Sequence, residues 1–335
     1  MLLSLATLAP GSLSAGLPEK AADYHRESQN PGEGIAIAEI EKGAPAVFAS
    51  AGLLREDGPA VDEDTLFEIG SLTKVFTGIL LADAVLHKKA TLEDPISKHL
   101  PADLLAPDSP LHRVTLLELA THRSGLPRLP ADLKEGIAPA DPYAHYSVER
   151  LHRYLKAFRE SDFKKRGEKS YSNLGMGLLG HLLERINGKP YEVLLRETIF
   201  EPLGMSSSFV QRTPDSIPAE FRDRLATPHS KGRAVSLWHF DSLCGAGAGV
   251  STARDLTRFA AAHWPGDTPA SLLAAMELAA TPQRGETGLA WTIREEGLSH
   301  NGRTGGFHCE LRISPETKTA RIRLVNSVGS ARSSK

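Results

Sequence analysis

The sequence predicts an α+β protein, with an antiparallel sheet formed from both chain termini and a mainly helical part inserted between. Three observations predict it. Short apolar runs broken by turn residues stand near the start of the chain, and the same texture returns at its end. Between them, apolar residues recur at steps of three and four. At 335 residues the chain is long enough for about two domains and a large core without disulfide or metal staples. The expected division is a sheet domain from 17–75 and 285–335, and a helical domain from 76–284.

Residues 1–16 are apolar and small, with no charge before Glu19. They read either as a trimmed export signal lacking its basic start or as a plain N-terminal segment. The first of these leads to an expected periplasmic or secreted location. A helix follows at 18–29. Gly34 to Ile40 and Pro45 to Gly52, separated by Glu41-Lys42-Gly43-Ala44, read as a β-hairpin. Helical spacing covers 75–86, 148–158, 174–186, 191–200, 253–264 and 271–280, with Pro and Gly at the joins. Long loops lie at 127–146 and 211–237. Strands return at Leu289 to Arg294, Phe307 to Ile313 and Ala320 to Asn326. In the last of these Ile322 and Leu324 alternate with Arg321 and Arg323, as a half-buried strand requires.

Charge and cysteine content exclude several functions. Lys and Arg number 39 against 41 Asp and Glu, without the basic excess of a nucleic-acid binder. Cys244 and Cys309 lack the paired spacing of a zinc site and are expected as two separate buried thiols. There is no His-Glu-x-x-His, and His145 and His152, seven apart, describe a solvated face better than a metal pair. Gly245 to Val250 lacks the third glycine and the βαβ setting of a dinucleotide site. Neither a metal nor a cofactor is expected.

Chemistry concentrates in three segments. Ser71 and Lys74, in Gly70-Ser71-Leu72-Thr73-Lys74, share one face of a helix at i and i+3. A helix start favours an anionic serine oxygen. Bringing a lysine near pKa 7 takes roughly 4–5 kcal/mol, which burial and a neighbouring cation can supply. Alone, the pair is a weak signal and more readily describes an N-capping serine and a solvent-facing lysine. Tyr171 and Asn173, at i and i+2 before a helix, can address one cleft, the phenol relaying a proton and the amide holding a carbonyl. Alone, they are an N-cap beside a half-buried tyrosine. The run Ser299 to Phe307 is glycine-rich and enters a strand, so a substrate can approach its backbone; a tight turn explains it equally well.

Together, in this order, the three segments resemble the serine β-lactamase and penicillin-binding-protein superfamily. The nearest branch holds class C β-lactamases, D-Ala-D-Ala carboxypeptidases, D-aminopeptidases and β-lactamase-like esterases. Leu119 to Pro127, Glu201 to Met205 and Gly249 to Leu256 match as well, and the likeness runs from about 20 to 328. It implies a β-lactamase/transpeptidase-like fold. It also implies Ser71 as nucleophile, Lys74 as base, Tyr171 as proton relay and Asn173 as the group binding the substrate amide. His300, Asn301 and Gly302 would form the third motif. The oxyanion hole would be the backbone N–H groups of Ser71 and Arg303.

Two departures from that pattern stand out. His300 replaces the usual lysine, and a histidine is mostly neutral at pH 7, so Arg303 and Thr304 are expected to help meet a substrate carboxylate. The terminal helix of the family would have to come from Val328 to Lys335, which is short and polar, leaving the helix at 18–29 to cover the sheet. The expected function is a serine hydrolase acting on a β-lactam, a D-Ala-type peptide or, as an alternative, a small ester. The contrasting expectation is a penicillin-binding module without turnover. A small molecule or peptide, including a cell-wall peptide, is the expected partner.

Overall fold

Strands from the two ends of the chain hydrogen-bond side by side in the computed structural model, which describes residues 16–28, 32–135 and 140–329. The expected leader, apart from Gly16, and the last six residues lie outside the described residues. The opening segment supplies α1 (Leu17–Ser28), β1 (Gly34–Ile40), β2 (Val47–Gly52) and the two-residue β3 (Phe67–Glu68). The middle supplies α2 (Thr73–Leu86), α3 (Leu116–Ala120), α4 (Val148–Ala157), α5 (Asn173–Asn187) and α6 (Tyr191–Leu195). It continues with short strands β4 (Phe209–Val210), β5 (His229–Ser230), β6 (Arg233–Ala234) and β7 (Gly249–Ser251), then α7 (Ala253–Ala261) and α8 (Ala270–Ala280). The closing segment supplies β8 (Thr292–Arg294), β9 (Gly297–Arg303), β10 (His308–Ser314), β11 (Thr319–Val325) and β12 (Ser327–Val328).

The main sheet has the order β2-β1-β11-β10-β9-β8, so the first and last segments meet at β1 and β11. Register follows the alternation of the sequence. Ala36, Ala38 and Ile40 oppose Leu324, Ile322 and Ala320 on the inner face, which faces the main core. Ile35 and Ile37 turn to the other face, where with Ala49 and Ala51 they pack under Ala21 and Tyr24 of α1. Shifting the register by one residue would exchange these faces. The expected hairpin forms, and α1 covers its outer face. Over β10 and β11 that face is polar instead, with Arg323 bonded to Glu310 at 2.7 Å.

One expected strand is shorter. The run from Leu289 pairs only from Thr292, because Ala290 is held at φ 67°. Leu289 and Ala290 spend their N–H groups on Ala279 and Ala120 rather than on a ladder. The helix expected over 191–200 divides into α6 and a π-helical turn at Arg196–Phe200.

At the centre lies α2. Val75, Phe76, Ile79, Leu80 and Leu81 are all buried, and Phe76 meets Phe259 and Phe200 edge-on at 4.7 and 5.6 Å. A helix enclosed on nearly every side has no solvated face, so a lysine in its first turn loses its water. Both thiols are free and buried. Cys309 donates to the Ile69 carbonyl at 2.9 Å and Cys244 to that of Phe240. No helix among the described residues is long and apolar enough to cross a membrane.

Candidate active site

Ser71 sits in a single 3-10 turn, Gly70–Leu72, between β3 and α2. Thr73 clamps that turn: its hydroxyl donates to the Gly70 carbonyl at 2.7 Å and accepts the Gly249 N–H at 2.9 Å. Gly70 has φ 48°, a conformation that costs a side-chain-bearing residue about 1 kcal/mol or more. The turn therefore delivers Ser71 to the start of a buried helix, as the i, i+3 spacing predicts.

The Lys74 Nζ lies 3.0 Å from Ser71 Oγ and donates to the Ala246 carbonyl at 2.5 Å. Its side chain has no exposed surface. Burial, and then the nearby charge of Arg128, hold its ammonium well below the ordinary lysine range. The Tyr171 hydroxyl donates to the same Ser71 Oγ at 2.6 Å. Burial pushes that phenol up to about 12, so it remains a proton donor at neutral pH. The imidazole of His122 packs against the Tyr171 ring, with centroids 4.5 Å apart, and its Nδ1 accepts the Ser172 N–H. Burial, then Lys74, keep this imidazole neutral.

Ser172, between Tyr171 and Asn173, turns inward. Its hydroxyl caps α5 by accepting the Gly175 N–H at 2.8 Å and donates to the Pro127 carbonyl. Asn173 donates to the Tyr143 hydroxyl at 2.9 Å, leaving its Oδ1 buried and without a partner.

The third segment is divided by the sheet. On β9, His300 and Gly302 oppose the buried Leu311 and Cys309, whereas Asn301 and Arg303 oppose Glu310 and His308. A Cβ on Gly302 would strike the Ile69 carbonyl at 1.8 Å, so this face meets the Ser71 turn. The side chains of Asn301 and Arg303 consequently lie on the opposite, solvated face. That corrects the expectation that the Arg303 guanidinium meets a substrate carboxylate.

Its backbone is placed differently. Thr304 donates to the Phe307 carbonyl, closing the β9–β10 turn. Antiparallel alternation then turns the Arg303 N–H away from β10, towards the edge where Gly70 and Ser71 sit. His300, half-buried, is held down to about 4 by burial, then by Lys74, with its Nδ1 2.6 Å from the Asn301 carbonyl oxygen. It carries no charge at pH 7.

Thr304 is buried beside a group that sequence reasoning did not single out. Glu68, three residues before Ser71, accepts the Trp238 N–H at 2.7 Å and the Gln211 amide at 3.0 Å. Its second oxygen faces Thr304 without a well-aligned hydrogen bond. Arg128, Tyr143 and His122 also surround Tyr171, and of these His122 alone falls within the matching stretch Leu119 to Pro127. Among the described residues, no group of three or more His, Cys, Asp or Glu is placed to hold a metal ion. His152 does approach His181, at 3.1 Å between Nε2 atoms.

The sheet closed from both chain ends, with a serine at the mouth of a buried central helix, is the fold of serine β-lactamases and D-Ala carboxypeptidases. A class C β-lactamase from Rhodobacter sphaeroides superposes with a TM-score of 0.78 at 24% identity, covering 94% of this chain and 95% of that one. The D-alanine carboxypeptidase AmpC from Burkholderia cenocepacia gives 0.77 at 24%, covering 94% and 93%. The chain belongs to the Beta-lactamase family, whose sequence profile matches residues 25–335. A β-lactamase of Pseudomonas fluorescens is 30% identical over 197 residues, 58% of this chain and 51% of that protein. The D-alanyl-D-alanine-carboxypeptidase/endopeptidase AmpH of Escherichia coli is 32% identical over 183 residues, 54% and 46% of the two chains. The matched stretch spans about half the length of these two relatives.

Proposed function

We propose that the protein is a serine hydrolase that forms an acyl-enzyme on Ser71 and cleaves an amide or ester acyl donor, a β-lactam or a D-Ala-type peptide. The observation that carries this reading is the convergence of a buried Lys74 amine and the Tyr171 hydroxyl on one oxygen, Ser71 Oγ, at 3.0 and 2.6 Å. Lys74, whose ammonium is disfavoured by burial, takes the Ser71 proton as Oγ attacks the acyl carbon. The backbone N–H groups of Ser71 and Arg303 receive the oxyanion; losing one such donor costs about 10²–10³-fold in rate. As the C–N or C–O bond breaks, Tyr171 protonates the leaving atom and regains a proton from the Lys74 ammonium. Water then gives a proton to the same pair while its oxygen attacks the acyl carbon, and Ser71 departs protonated.

Asn173 and the strand at His300, Gly302 and Thr304 would hold the acyl portion. A cell-wall D-Ala peptide as partner and a periplasmic location belong to the same reading, supported by the likeness to a D-alanyl-D-alanine carboxypeptidase. An esterase is the second reading, and one observation favours it. With His300 neutral and the Arg303 side chain on the far face, the third segment offers no cation to a leaving-group carboxylate.

The test is a panel of a chromogenic cephalosporin, a p-nitrophenyl ester and a D-Ala-D-Ala peptide, read with intact-mass measurement. Turnover with a transient adduct, abolished together with fluorophosphonate labelling in Ser71→Ala, is the expected result. Labelling that survives this substitution overturns the site. A permanent adduct without turnover points instead to a penicillin-binding module.

A further inference from the structure

The third segment lacks a charged side chain facing Ser71, yet a fixed positive charge does stand at the site, on a different element. Arg128 lies in the loop after α3. Its carbonyl accepts the N–H groups of both Asn173 and Leu174, at 2.9 and 3.2 Å, which ties this residue to the segment carrying Tyr171 and Asn173. Its guanidinium lies 5.1 Å from the centroid of the Tyr171 ring. That ring's hydroxyl is the group bonded to Ser71. The Arg128 side chain is exposed and, among the described residues, has no ion pair or hydrogen bond.

Its charge is felt by Lys74, Tyr171, Tyr143 and His122 together, so all four are gathered about this one cation. Another exposed cation near Ser71, Lys169, acts on His300 and His122 and has the carboxylate of Glu286 nearby. Arg128 therefore offers a planar, unspent donor set that suits a carboxylate. Beside it, the buried and unpartnered Oδ1 of Asn173 needs an N–H donor. An acyl group bearing an amide N–H and, a few bonds further out, a carboxylate would satisfy both at once.

We propose that Arg128 is a specificity-determining residue that binds a carboxylate carried on the acyl side of the substrate, next to an amide N–H received by Asn173. The proposal rests on the hydrolase reading above for its location at the acyl side. It makes the protein selective for acyl donors such as an N-succinyl or γ-carboxyl-bearing D-amino acid, and indifferent to charge on the leaving group.

The experiment compares two pairs of substrates in the full chain and in Arg128→Gln and Arg128→Lys. The first pair is N-succinyl- against N-butyryl-D-alanine p-nitroanilide, which differ by a carboxylate in place of a methyl group. The second carries N-butyryl-D-alanine on p-nitroaniline with or without a carboxylate on the ring. Expected is a succinyl preference in kcat/KM of at least about 10-fold, near the strength of a charge-assisted pair. It should collapse in Arg128→Gln and be partly restored in Arg128→Lys, while the leaving-group ratio stays the same in all three. A succinyl ratio that Arg128→Gln leaves unchanged, or a response confined to the leaving-group pair, overturns the proposal. Where no anilide is turned over, the hydrolase reading is in question but Arg128 is still tested. Binding of N-succinyl- against N-butyryl-D-alaninamide to Ser71→Ala, with and without Arg128→Gln, reads the same discrimination by calorimetry. Equal binding of the two amides to Ser71→Ala overturns the proposal.

Discussion

A methyl group on Gly70 would lie 2.8 Å from the backbone nitrogen of Arg303. No real Cβ tolerates such a contact with backbone, so the turn carrying Ser71 and the strand edge carrying the Arg303 N–H touch directly. The proposed nucleophile and the N–H proposed to receive the charge it generates are thereby held in one rigid contact, from chain positions more than two hundred residues apart. Preorganisation of that kind is the largest single contribution in most acyl-transfer sites.

Gly70→Ala should separate these two backbones and also strain a turn at φ 48°. We expect kcat to fall by about 10²-fold or more, the cost of a misplaced oxyanion donor, with KM less affected. Steady-state kinetics on any accepted ester checks this, with circular dichroism confirming that the protein folds. A rate close to wild type would mean that the Arg303 N–H takes no part.

His300→Lys places a cation on the inner face of β9, where the histidine is neutral at pH 7. Activity on carboxylate-bearing β-lactams should rise relative to an uncharged ester by about 10-fold. The added charge also faces Lys74, so the absolute rate on the neutral ester is the internal reference. A ratio that does not move would show that position 300 does not read a leaving-group carboxylate.

Glu68 supplies a pH prediction. Burial raises its carboxyl from 4.5 to about 7, with Thr304, Trp238, His239 and Gln211 opposing the rise. The folded protein therefore keeps a proton that the unfolded chain has already released. The stabilisation is fully present below about 4.5 and is lost as pH rises through about 7, a change on the order of 3 kcal/mol. Glu68→Gln cannot ionise. Its Tm relative to wild type should therefore climb between about pH 5 and about pH 8, while the opposing titrations of His263 and His300 cancel in the comparison. A constant difference would mean that Glu68 does not change its proton in that window.

Much of this was legible in the residue order. The pairing of β1 with β2 and of β10 with β11 follows from alternating apolar runs around short turns, and α2, α4 and α5 begin within two residues of where their periodicity starts. The meeting of Ser71 with Lys74 was also foreseeable, because the i, i+3 geometry at a helix start is local. What periodicity missed was local too in one case: Ala290 adopts a left-handed conformation that shortens β8, and no glycine or asparagine marks it.

The side-chain roles on β9 belong to a different order of information. His300, Asn301, Gly302, Arg303 and Thr304 form one motif on paper, but each strand residue points opposite to its neighbours. Only the pairing of Arg303 with His308 and of Gly302 with Cys309 decides which of them see Ser71. Glu68, Gln211, Trp238 and Thr304 come together from four distant parts of the chain, as do Arg128, Tyr143 and Tyr171 from three. Such groups have no common spacing to detect, since contacts closed by long loops leave no period in the sequence. The contact between Ser71 and Lys74, the proposed nucleophile and base, was thus written in four consecutive positions. Which charges surround them was decided by strand register and loop packing.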